Sequence, residues 1–297
     1  MEQVEVKPKS KKKIWLLPVK IIVSFLAIYT IVMNIDWNEV LPTLLVCNKW
    51  LLIIALLLYA FSKVASSYRL NRYFKEIPVE ISEKNNLRLY WLGMFYNLFL
   101  PGGIGGDGYK IYLIGKTFQA KLKTTTAAVL IDRLNGMSAI LYILPASFLF
   151  VPIPSWMKVC VPFAIVLIYA LYRIFLHFVF PRFLKSEPYC SGLSIIVQSL
   201  QCIAIFAILY SLGVDKDYAE YTILFLISSL VSVLPISIGG IGLRELVFMS
   251  GSSFFGLNPT LSVLVSFIFY LINVIVSFAG IYYHFSDFEL SSDEDYV

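Results

Sequence analysis

The sequence predicts an all-α polytopic membrane protein built as an inverted-topology repeat of two halves, with six full transmembrane helices plus two re-entrant Gly-rich hairpins, eight hydrophobic segments in all. Three observations predict it. Of the 297 residues, 59% are hydrophobic and 14% charged, whereas a soluble domain carries about 25% charged residues. Apolar runs reach the ~20 residues that cross a bilayer as a helix. A Pro- and Gly-rich break occurs twice in register, with Pro101 and Pro235 separated by 134 residues.

The elements follow in chain order. Residues 1–13 form a basic N-terminus, and Ile14 to Met33 is apolar. Basic-then-apolar is how a signal peptide begins. This apolar run is long, however, and no small-x-small cleavage site follows it, so it reads as an uncleaved first helix. Full spans are expected at about 14–33, 50–68, 124–150, 157–180, 190–213 and 260–284. Segments 87–115 and 221–256 are apolar but interrupted, at Leu100 to Lys110 and at Leu234 to Arg244. Proline removes a backbone donor and glycine favours non-helical torsions, so a continuous helix is not expected through either. Trp15, Trp37, Trp50 and Trp156 fall at span ends, where amphipathic rings anchor a helix at the membrane surface.

Orientation is read from Lys and Arg in the short loops. Stretches 7–13, 69–88, 116–123 and 182–185 together carry fifteen; Lys49, Lys158 and Lys216 are the three on the other side. The asymmetry holds only if segment 87–115 enters from the cytoplasm and returns to it. Segment 221–256 then enters and leaves from outside, and both termini are cytoplasmic, with 285–297 as an acidic tail. Lys20, Lys63 and Arg173 are expected to snorkel toward cytoplasmic helix ends.

At the 134-residue offset, Leu100 matches Leu234, Pro101 Pro235, Ile104 Ile238, Gly105 Gly239, Gly106 Gly240 and Gly108 Gly242, and Lys110 matches Arg244 in charge. The first half (14–150) and the second (157–284) each read as span, span, hairpin, span. Three crossings per half put the second half in the membrane upside down. One hairpin therefore dips from each face toward the midplane, the plan of many secondary transporters. The plainer alternative is that the glycines only permit close helix packing.

Pro101-Gly-Gly-Ile-Gly-Gly-Asp107, Asp132-Arg133-Leu-Asn-Gly136 and Leu234-Pro-Ile-Ser-Ile-Gly-Gly-Ile-Gly-Leu-Arg244-Glu245 together resemble the lysylphosphatidylglycerol synthase transmembrane-region family. This is the flippase-like membrane domain of the multiple peptide resistance factor. The resemblance covers roughly 14–284 and implies a lipid-translocating or lipid-handling role. In the full-length resistance factor the aminoacylation chemistry belongs to a separate soluble domain. Thirteen residues follow His284, so a stand-alone membrane module without synthase activity is expected.

A charged side chain at membrane depth costs at least ~2.5–3.5 kcal/mol and is a functional candidate by default. The candidates for substrate binding are Asp107, Lys110, Asp132, Arg133, Arg244 and Glu245. The cations would hold a phosphate, with Arg as a bidentate fork. Backbone amides around Gly105, Gly106, Gly239 and Gly240 would add donors, as in anion-binding nests. The competing reading is that these charges only pair with one another. Asn97, Asn135 and Asn273 are expected to hydrogen-bond between helices.

Cys47, Cys160, Cys190 and Cys202 form no Cys-x-x-Cys pair and read as apolar fillers. His177 and His284 sit near helix ends, outside any cluster. No metal, cofactor or Walker motif is expected. The expected partner is a membrane lipid with an anionic headgroup or a lipid-linked phosphate. A second copy of the chain or a lipid-modifying enzyme would be a further partner; nucleic acid is not expected. The leading reading is a flippase-like transporter in the cell membrane. Its rivals are an accessory subunit or small-solute carrier, and an intramembrane lipid-modifying enzyme.

Overall fold

The computed structural model describes residues 29, 33, 36–99, 105–233, 242–286 and 290. Among them there is helix and no strand. The helices are α1 (Trp37–Val46), α2 (Lys49–Phe74), α3 (Glu83–Phe99), α4 (Gly105–Phe118), α5 (Leu122–Ser147) and α6 (Ser155–Val179). The remainder are α7 (Glu187–Ser211), α8 (Tyr218–Val233), α9 (Leu243–Phe255), α10 (Pro259–Phe278) and the short α11 (Ile281–Phe285).

Five helical stretches are long and apolar enough to cross a membrane: Lys49–Phe74, Leu122–Phe150, Ser155–Val179, Glu187–Ser211 and Pro259–Phe285. They coincide with the expected spans from 50–68 onward. The span expected at 14–33 lies outside the described residues, apart from Tyr29 and Met33. Helix α1 is an addition to the expected elements. The Asp36 side chain accepts the Asn38 N–H at its start, but its ten residues are too short to register as a span.

Each interrupted segment is two helices packed side by side and antiparallel. In the first pair, α3 and α4 meet where Gly106 of α4 lies against Gly93 of α3 and Lys110 reaches Tyr90. In the second pair, Gly251 of α9 lies against Leu224 of α8, and Arg244 bonds Ser229. The connections 100–104 and 234–241 are outside the described residues. Within the first break, Gly105 to Lys110 is already helical. The Asn97 side chain accepts the Gly106 N–H at 2.8 Å, filling the role of a cap at the new helix start. The second restart uses Gly242, whose φ of +83° suits a residue without Cβ. Its N–H is taken by the Glu245 carboxylate at 2.8 Å.

The centre of the bundle is the antiparallel packing of α2 on α7. Asn48 N–H donates to the Ser211 carbonyl, Gln201 to Ser62 and Arg69 to Ser194. Residue numbers therefore rise on one helix as they fall on the other. Two apolar clusters lie toward opposite ends. One joins Leu70, Phe74, Ile81, Leu89, Ile114, Ala120, Val129, Phe183 and Leu290. It gathers the turns 75–82, 119–121 and 180–186 at one end, together with their lysines and arginines. The other joins Val40, Leu212, Tyr221 and Leu257, and Asn258 bonds Glu39 there. Both arms of α3–α4 thus open at the basic end, and both arms of α8–α9 at the opposite one. Helix α6 is the most exposed span, with Trp156, Phe163, Val166 and Phe178 all turned out of the bundle.

Candidate functional site: a buried chamber of charged side chains

A cluster of charged side chains is gathered from five helices. Helix α2 brings Tyr59, Lys63, Ser66 and Arg69 at three- and four-residue spacing. Helix α4 brings Asp107 and Lys110, and α5 brings Asp132 and Arg133. Helices α9 and α10 bring Arg244, Glu245 and Phe269. Lys63 lies within electrostatic reach of Arg244, Arg69, Lys110 and Asp132, which makes this one site rather than several. It holds five basic side chains against three carboxylates.

Two carboxylates are consumed by the first half. Asp107 accepts from Lys110 at 3.2 Å across one helical turn and, through its other oxygen, from the Arg133 Nε. Lys110 also lies over the Tyr90 ring, 4.2 Å from its centroid. Asp132 accepts from the Arg69 Nε at 2.7 Å, while Arg69 Nη1 donates to Ser194 at 2.8 Å. Adjacent residues of α5 therefore hold two different partners: Asp132 ties α5 to α2, and Arg133 ties it to the first hairpin. The third carboxylate, Glu245, accepts from Gly242 N–H through one oxygen and from Ser266 at 3.3 Å through the other. These bonds cap α9 and join it to α10.

Arg244 has a different environment. Among the described residues it has no carboxylate partner. Its guanidinium lies over the Phe269 ring at 5.2 Å and donates to Ser229 at 3.1 Å, while its buried Nε has no hydrogen-bond partner. Lys63 is similar. Its Nζ lies over the Tyr59 ring at 4.4 Å, and it makes no ion pair with a described carboxylate, Asp132 acting on it only from farther off. Tyr59 precedes Lys63 by one turn, on the side away from the basic end. The snorkelling expected of Lys63 is thus corrected, because the amine turns inward onto an aromatic face rather than out to the interface.

Arg69 was grouped by sequence with the exposed cytoplasmic cations, and that is corrected too: it is 5% exposed. A carboxylate inside a span, Asp132, and a run of small polar residues on α2 (Ser62, Ser66, Ser67) were the available signals. Arg173, also expected to snorkel, reaches the fully buried Glu187 at 2.9 Å. The Gly106 amide, expected to face an anion, is occupied by Asn97. Gly105 begins α4, and Gly239 and Gly240 lie outside the described residues. The three asparagines do bond between helices: Asn97 to α4, Asn135 to Ser191 of α7 at 2.9 Å, and Asn273 to the Tyr59 hydroxyl at 2.5 Å.

A multi-pass helical membrane protein with a buried, mostly basic cluster of side chains is the class that this architecture defines. The family model described as the lysylphosphatidylglycerol synthase TM region matches residues 17–187 and 188–280, and the chain belongs to that family. No curated protein matches it.

Proposed function

We propose that the chain is a flippase-like transporter. It moves a phospholipid or a lipid-linked phosphate between leaflets and does no covalent chemistry on it. The observation that carries this reading is the basic surplus in a cluster to which arms of both hairpins contribute. A buried excess of cations calls for an anion, and membership of a lipid-related membrane family supports a lipid as its bearer. The reading includes an inverted repeat. Helix α9, with both its caps described, is 13 residues long, short of the ~20 that cross a bilayer. The pairs open at opposite ends, and the equivalent helices α2 and α7 run antiparallel. Each of these supports two re-entrant hairpins related by an axis in the membrane plane.

Purified protein in proteoliposomes is expected to equilibrate a labelled anionic phospholipid between leaflets faster than protein-free vesicles, with the lipid recovered chemically unchanged. Appearance of a new lipid product at a matching rate would replace transport with catalysis. In the orientation proposed, the cell membrane holds the basic end and both termini on its cytoplasmic side. Cysteines introduced at Lys121 and Lys185 should be shielded from an impermeant thiol reagent in intact cells, and one at Asp217 labelled. All three side chains are exposed on the protein itself, so shielding would report the membrane. Labelling at Lys121 from outside would mean that α3–α4 does not return to the side it entered.

A further inference from the structure

The two hairpins are alike in sequence but not in charge. Lys110 of the first has Asp107 three residues before it; the equivalent position before Arg244 is Ile241. The second hairpin thus lacks that acid, and the Glu245 carboxylate, bonded to Gly242 N–H and Ser266, acts on Arg244 only without an ion-pair contact. Arg244 instead stacks on Phe269. Phe269 meets Tyr59 edge to face, with centroids 5.3 Å apart and planes at 88°, and Tyr59 carries Lys63 on its ring. The result is a continuous chain of cation, ring, ring and cation across α9, α10 and α2. Neither cation makes an ion pair among the described residues, and the Arg244 Nε is left unbonded.

We propose that Lys63 and Arg244 form an anion clamp, and that the clamp takes the phosphate of the substrate headgroup. This rests on the lipid-transport reading above for the source of the phosphate only. Aromatic faces hold both cations where neither has an ion-pair partner. A phosphate ester supplies it, accepting a fork from Arg244 and a point charge from Lys63. Lys110 of the first hairpin and Arg133 of α5 are already answered by Asp107. The Arg133–Asp107 pair holds the hairpin to α5, which makes the site one-sided although the fold repeats. Lys63 is the member that sequence reasoning dismissed.

The test uses the full chain in detergent. Dihexanoyl phosphatidic acid is the lipid probe, inorganic phosphate the free anion, and dihexanoylglycerol the same acyl chains without phosphate. Wild-type protein should gain thermal stability with phosphatidic acid and none with dihexanoylglycerol. Lys63→Gln and Arg244→Gln should each weaken phosphatidic acid at least tenfold. Without ligand they should melt no lower than wild type, because each removes a buried charge that has no ion-pair partner. Lys63→Arg should restore binding, and Lys75→Ala, at an exposed site outside the cluster, should bind as wild type. Wild-type affinity in both Gln variants overturns the clamp. An equal gain from inorganic phosphate overturns the lipid headgroup as its ligand. If the wild type binds through the clamp yet exchanges no lipid between leaflets, the transport reading falls and the clamp stands.

Discussion

Gly106→Ala is expected to unseat the first hairpin, and Gly108→Ala two residues later to do nothing of the kind. A Cβ on Gly106 would lie 1.8 Å from the Gly93 carbonyl oxygen and 2.6 Å from its carbon. Those atoms are backbone and cannot rotate away, so α3 and α4 must part. Overpacking of a well-fitted core costs about 1–3 kcal/mol and occasionally more; a backbone collision belongs at or above the top of that range. Parting the arms also breaks the Asn97 bond to the Gly106 N–H and carries Lys110 away from Tyr90. At Gly108 a Cβ meets nothing within 4 Å, and the substitution gains up to ~1 kcal/mol of helix propensity. The thermal midpoint in detergent and the rate of leaflet exchange should both fall for Gly106→Ala and hold for Gly108→Ala. Equal behaviour of the two variants would mean that α3 and α4 do not pack through Gly93.

That pair also marks how far the sequence could be read. The six-residue match between the breaks announced two interrupted segments, and hydropathy located the described spans, because both are properties of contiguous chain. Gathering of the basic turns at one end was legible as well, since loop charge and chain direction together leave little choice. The role of Gly106 was not legible. A turn glycine and a packing glycine have the same spelling, and only Gly93 and Asn97 on the facing arm separate them. Arg69 failed for a related reason. A cation near a span end is interfacial by default, and what reverses the default is Asp132, 63 residues away. Lys63 was misjudged because snorkelling has a direction as well as a length. Tyr59 sits one turn back on the same helix, and it is Phe269, far along the chain, that makes its ring part of a site.

Asp132→Ala should be among the most destabilising substitutions in the chain, and it should be repairable. It would leave Arg69, 5% exposed, with Ser194 as its remaining side-chain hydrogen-bond partner, and breaking a buried pair from one side costs about 3–5 kcal/mol. Replacing both partners by apolar residues of similar shape, Arg69→Met with Asp132→Leu, removes the stranded charge. Such double replacement is often neutral or stabilising, so the double variant should regain most of the lost thermal midpoint. Ser194 would then lose the donor at 2.8 Å but keep its own bond to Asn135. Transport divides the remaining possibilities. If the pair only fastens α5 to α2, the repaired protein should exchange lipid at close to the wild-type rate. If Arg69 also meets the substrate on its way past Lys63, which lies two turns along the same helix, stability should return without transport. A double variant as unstable as Asp132→Ala would show that the loss came from the α5 backbone or its packing. The ion pair would then not be what holds α5 against α2.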